Sequence, residues 1–290
     1  MTLFFFTQFA GAGGPRYIAG VSYFNQGTVG TPLTWAQGTV NYYTDQGSLS
    51  PTVSGPQGDA LVADAFSQWT SIPTVSLSVT HAGQLAEDVS GANVYRNSDG
   101  TLTMPADIMP TATGTPVGIV YDVDGTVTDA FLGQGAGDAS QCFGNAVFGG
   151  LDNFAASANF LHALVVINGN CVAQLPDPDV EYRLVRMLGQ VLGLGWSQTN
   201  LNVQTDIPRP TADDYAGFSI MHAIDLPNCI PITLCYSTVG RSTLTCPKWM
   251  IRLRCPAYIL PQLFLPPLLE FTATYISRTG AGNPARACKG

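Results

Sequence analysis

The apolar positions along the chain fall into a few segments whose spacing sorts them by element. In Asp59–Thr70 (DALVADAFSQWT), Leu61, Val62, Ala65, Phe66 and Trp69 recur at three- and four-residue intervals, which predicts an amphipathic helix. Thr74–Thr80 alternates instead: Val75, Leu77 and Val79 point one way and Ser76 and Ser78 the other, as in a half-buried strand. Before these, Val21–Gln37 reads as extended, Thr39–Tyr43 (TVNYY) as a strand and Thr44–Gly58 as a polar loop. Val117–Asp122 is a short apolar strand that meets a turn at Asp124-Gly125, a D-G hairpin or a calcium-binding turn, ahead of Val127–Leu132. Asn93–Gly114 reads as loop-rich and Cys142–Asn159 as irregular. His162–Asn168 (HALVVIN) is the best buried strand and closes on a Gly169-Asn170 turn. An acidic run, PDPDVE, then leads into Glu181–Gln198, where acids suit the positive end of a helix dipole.

Composition narrows the class. With 290 residues the chain can bury a sizeable core, and 46% hydrophobic against 11% charged residues marks it as globular and rather apolar. A net charge of −8 argues against nucleic acid as a partner. That charge is unevenly placed: five Arg, no Lys and 19 acids up to Gly240 give −14, whereas seven basic residues and one acid from Arg241 onward give +6. Residues 2–12 (TLFFFTQFAGA) resemble the end of a secretory signal peptide whose basic start is missing, which implies a secreted or periplasmic protein. No segment reaches the roughly 18 uninterrupted apolar residues of a membrane span. Four of the seven Cys precede the charge break, and in an exported protein they suit two disulfides, Cys142–Cys171 and Cys229–Cys235.

The segment from Glu181 to Gln198 (EYRLVRMLGQVLGLGWSQ) carries the sharpest resemblance. Leu188, Val191, Leu192 and Leu194 supply a buried helix face, and Gly193 with Gly195 supplies a stop. It resembles the active-site helix of the metzincin zinc peptidases, whose pattern is H-E-x-x-H-x-x-G-x-x-H. The first His of that pattern falls on Arg186, the Glu on Met187, the second His on Gln190, the glycine on Gly193 and the third His on Trp196. Ligands at i and i+4 share one helix face, and a left-handed glycine turn brings a third ligand to the same ion. Here no ligand survives: arginine has no lone pair to give, and glutamine is a poor zinc ligand. Met221, in SIMH (Ser219–His222), occupies the place of the family's Met-containing turn. The strand–helix–strand opening is similar to the start of a matrixin-type domain.

The resemblance implies an α+β, metzincin-like fold: a mixed twisted sheet packed on a few helices, one of them the former active-site helix. It assigns residues 13–240 to that domain and 1–12 to a remnant signal peptide. It implies a pseudo-metallopeptidase without zinc or any other cofactor, with a binding or structural role toward a protein or peptide ligand. Arg186 is expected to point into the former metal cavity and stand in for the cation, paired with an Asp or a backbone carbonyl. Residues 241–290 form a Pro-rich basic tail. Matrixin-type domains close with a helix resembling D-D-x-x-A-x-x-x-L-Y-P, and a two-base change of frame over Pro247–Gln262 can restore one. A frameshift near Ser237–Cys246 is therefore expected.

A competing chemistry lies in Gly118–Phe131 (GIVYDVDGTVTDAF), which resembles the first motif of haloacid-dehalogenase-type phosphatases. That resemblance implies Asp122 as nucleophile and Asp124 as acid/base beside a magnesium ion. A second alternative is a peptidase with relocated ligands drawn from His81, His162 and His222. Against the phosphatase, no Lys occurs before Lys248 and no Rossmann-like alternation comes after the motif.

Overall fold

The computed structural model describes residues 14–73, 75–173, 178–197 and 220–221. The signal-peptide-like start, Cys229–Cys235, His222, the 200–217 loop and the tail lie outside the described residues. In chain order the elements are β1 (Thr34–Trp35), β2 (Thr39–Thr44), α1 (Gly55–Thr70), β3 (Ser78–Gln84), β4 (Tyr95–Arg96), β5 (Leu102–Thr103), β6 (Val117–Asp122), α2 (Thr126–Leu132), α3 (Cys142–Asn145), β7 (Val147–Ala155), β8 (Asn159–Asn168) and α4 (Pro178–Val191).

The fold is mixed α and β around a mostly parallel sheet. Strands β3, β2, β6 and β8 lie side by side in that order, all parallel. β7 adds an antiparallel outer edge to β8, and the two-residue β1 pairs in parallel with the start of β8. β6 is buried at all six positions, because both faces of the sheet are covered. On one face Val117, Ile119, Tyr121, Ala163, Val165 and Ile167 pack with α1 and α4. On the other, Val120, Leu164 and Val166 pack with Val127 and Ala130 of α2 and with Leu85, Val89, Val94 and Ile108.

Several sequence expectations are corrected. α1 begins at Gly55 rather than Asp59, because Gln57 Oε1 takes the Ser54 N–H at 3.0 Å in a capping arrangement within the expected loop. β3 starts at Ser78, later than the alternating pattern, although Val75 and Leu77 still pack on the core. Asp124-Gly125 closes no hairpin: β6 has parallel partners on both sides, and the turn opens α2. The segment read as irregular contains β7, whose edge position depends on pairing with β8 along nearly its whole length. Between Asn93 and Gly114 lies a small β4–β5 hairpin.

Candidate functional site

α4 is the element that the candidate site rests on. It runs Pro178–Val191, with Asp179 and Glu181 in its first turn, and ends just before Gly193, the first of the two glycines expected to stop it. The stop is a Schellman closure. Gly193 adopts φ +94°, its N–H reaches the Gln190 carbonyl at 3.0 Å, and the Leu194 N–H reaches Gly189 O at 2.9 Å. A side chain is disfavoured at that φ, and a Cβ would also stand 2.9 Å from the Phe160 ring.

Two buried indoles hold the helix by its carbonyls. Trp69 Nε1 donates to Val185 O at 2.9 Å and Trp35 Nε1 to Val191 O at 2.8 Å. Past the glycine turn the chain is pinned again, by Arg16 N–H to Gly193 O and Gly195 N–H to Gly14 O, each 2.8 Å.

This exit path brings together two of the positions that the metzincin pattern falls on, Arg186 and Trp196. The Arg186 guanidinium carbon lies 4.9 Å from the centroid of the Trp196 ring and 5.2 Å from that of Tyr182. Arg186 is 7% exposed, whereas Trp196 is 44% exposed and lies over it at the surface. Gln190 is buried one turn beyond Arg186, and Met187 is partly buried against the core. Met221 is buried as well, and its carbonyl accepts from the Ser197 N–H at 2.7 Å and the Ser197 hydroxyl at 3.0 Å. The aromatic bed under Arg186 is a feature that sequence reasoning missed. Its signal was present in Tyr182, four residues earlier on the same helix face, and in Trp196 itself.

The donor set does not fit zinc. A guanidinium, a carboxamide and an indole at the three ligand positions offer no nitrogen lone pair of the imidazole kind and no carboxylate. The relocated-ligand alternative fares no better with the histidines in view. His81 on β3 stacks on Tyr42 and shares a 2.9 Å hydrogen bond with Thr44, while His162 on β8 pairs with Asp152 at 2.7 Å. β2 and β6 lie between them. Among the described residues no group of three or more His, Cys, Asp or Glu is placed to hold a metal ion.

The DVDGT segment is occupied by local structure. Asp122 is 1% exposed, and its carboxylate accepts from Val127 N–H (3.0 Å), Thr128 N–H (2.7 Å) and the Thr128 hydroxyl (2.6 Å), tying down the start of α2. Burial pushes this carboxyl above the ordinary range, opposed by the same three donors. Asp124 is exposed, and one of its oxygens takes the Thr126 N–H and hydroxyl. It lines an open cleft of about 710 Å³ with Tyr95, Arg96 and Asp129, on the sheet face opposite α4. The Arg96 guanidinium there is bonded to the carbonyls of Gly100, Ala130 and Phe131.

Cys142 and Cys171 form a disulfide, with Cα atoms 5.4 Å apart, joining α3 to the turn after β8. No helix among the described residues is long and apolar enough to cross a membrane. No family model, curated protein or solved structure matches the chain.

Proposed function

We propose that this chain is an exported pseudo-metallopeptidase of matrixin-like type, which binds a protein or peptide ligand and does not hydrolyse it. The observation that carries this reading is the stacking of Arg186 on Trp196 across the left-handed turn at Gly193. In the ligand pattern of the metzincins these are the first and third histidine positions, ten residues apart. Packing them together uses a helix, a glycine exit and a return of the chain of the kind that three zinc ligands also need. Met221, tied to Ser197 beside α4, supports the reading further. A permanent cation on Arg186 then stands where the metal charge would be, held between Tyr182 and Trp196. With Met187 in place of the general base, nothing at these positions activates a water. The phosphatase alternative is less well supported, because Asp122 would have to give up the bonds that start α2 before it could act as a nucleophile.

Restoring the ligands tests the reading. The R186H/Q190H/W196H variant is expected to hold close to one zinc per chain after dialysis, and the parent chain well under a tenth of that. A folded triple variant that takes up no more zinc than the parent, or stoichiometric zinc in the parent itself, overturns the proposal.

A further inference from the structure

Between the buried residues Gly137 and Ala146 the chain makes an excursion, Asp138–Asn145, in which no residue is buried. Apolar burial therefore does little to hold it in place. Close to its ends, the Asn145 side-chain amide donates to Ala136 O at 2.9 Å and the Asp138 N–H to Gly135 O at 3.3 Å. Among the described residues, two further attachments reach elements distant in sequence. One is the Cys142–Cys171 disulfide. The other is Arg183 of α4, which donates to the Phe143 carbonyl and lies 5.5 Å from the centroid of the Phe143 ring.

The ends of the excursion are fixed independently of the disulfide. The Gly137 N–H reaches Asp129 Oδ1 at 2.7 Å, and the Gly137 carbonyl takes the side-chain amides of Asn168 and Asn170 at 3.0 Å each. The Ala146 carbonyl accepts the Asn168 N–H at 3.0 Å. Both cysteines are half-buried, within reach of a thiol.

We infer that the Cys142–Cys171 disulfide is a redox latch. Closed, it holds Asp138–Asn145 against α4; opened, it releases that segment, α3 and Phe143 with it, while the sheet with α1, α2 and α4 stays folded. The reductant is a dithiol. Its thiolate attacks one sulfur, a mixed disulfide forms, and its second thiol displaces the protein, leaving as a disulfide. Two electrons and two protons pass to Cys142 and Cys171. Release takes Phe143 off Arg183, three residues before Arg186 on α4, so the redox state sets whether that residue covers this turn of the helix.

Limited chymotryptic digestion of the full chain tests this, with cleavage at Phe143–Gly144 read by mass spectrometry. In C142S/C171S, without reductant, cleavage there is expected at least tenfold faster than in the oxidised parent, with an unchanged far-ultraviolet circular dichroism spectrum. R183A in the oxidised state is expected to change the rate less than threefold. Equal rates in C142S/C171S and parent overturn the inference. So does R183A matching the double variant, which would make the arginine the latch. Loss of the folded spectrum both in C142S/C171S and in parent reduced and alkylated under native conditions also overturns it, since the disulfide would then staple the whole domain.

Discussion

Gly189 faces the sulfur of Met221 with no space for a methyl group between them. A Cβ at position 189 would stand 2.6 Å from Met221 Sδ and 2.7 Å from Cζ2 of Trp69. The absent side chain lets α4 lie directly on both residues. Gly189→Ala gains about 1 kcal/mol of helix propensity. It also forces Met221 or the rigid indole aside, and overpacking of this kind costs about 1–3 kcal/mol. The indole is further restrained by its bond to Val185 O, so the steric cost wins. A net loss of up to about 2 kcal/mol is expected by urea denaturation. Gly144→Ala, where a Cβ meets nothing within 4 Å, is the control and is expected within about 0.5 kcal/mol of the parent.

The Arg186–Trp196 contact is measurable as a coupling. In a double-mutant cycle of R186M, W196A and the pair, about 0.5–1 kcal/mol of interaction energy is expected, because one partner is buried and the other is half exposed. A coupling indistinguishable from zero would mean that the stack is not a favourable contact.

Asp122→Ala removes the acceptor for two backbone N–H groups and one hydroxyl in a buried setting. Leaving those donors unmatched costs about 2–4 kcal/mol in total. Asp122→Asn keeps an oxygen and loses less. If Asp122 is a cap and nothing more, phosphatase activity toward a chromogenic phosphate ester is the same, at background, in the parent and in both variants.

Asp45 sets a pH dependence of a particular sign. It is fully buried at the end of β2 and accepts from Val89 N–H and Tyr121 N–H at 3.0 Å and from Gly47 N–H at 3.4 Å. Burial pushes its carboxyl up to about 6, against the three donors and with a small upward contribution from Asp88. The folded chain then holds this proton more tightly than the unfolded chain does. The associated stability is full below about pH 4 and is lost as pH rises through 6. Relative to D45N, the parent should lose about 1–3 kcal/mol between pH 4 and pH 6.5, read from urea midpoints at stepped pH. A parent that instead gains on D45N over that range has its carboxylate charged and held by the three N–H groups.

The elements that announce themselves by local period were legible in the sequence. Leu61, Val62, Ala65, Phe66 and Trp69 mark α1, and the unbroken apolar runs of Val117–Asp122 and His162–Asn168 mark the two central strands. β7 was not legible because its strand character comes from its neighbour. Gly149 and Gly150 carry positive φ, and a Cβ on Gly149 would run into the Leu164 carbonyl, so close approach to β8 selects residues with poor strand propensity. Asp124-Gly125 misled because a turn residue reports a change of direction, whether a strand or a helix comes after it. The deciding feature is Asp122, which reaches forward to Val127 and Thr128. At the site, the spacing from 186 to 196 pointed to residues that do meet. The aromatic faces of Tyr182 and Trp196 beside Arg186 were not foreseen.

The parallel order β3–β2–β6–β8 carries a cost during synthesis. β6 pairs along its whole length with β8, whose residues are made more than forty positions later, as the register Val117↔Ala163 to Asp122↔Asn168 records. Until Asn168 has left the ribosome, the most apolar strand of the nascent chain has one bare edge and no local hairpin to shield it. Contacts so distant in sequence form slowly, and an uncovered strand edge invites pairing with other chains. A protein stalled or truncated ahead of β8 should therefore be recovered in aggregates, while one cut soon after α4 has its sheet complete.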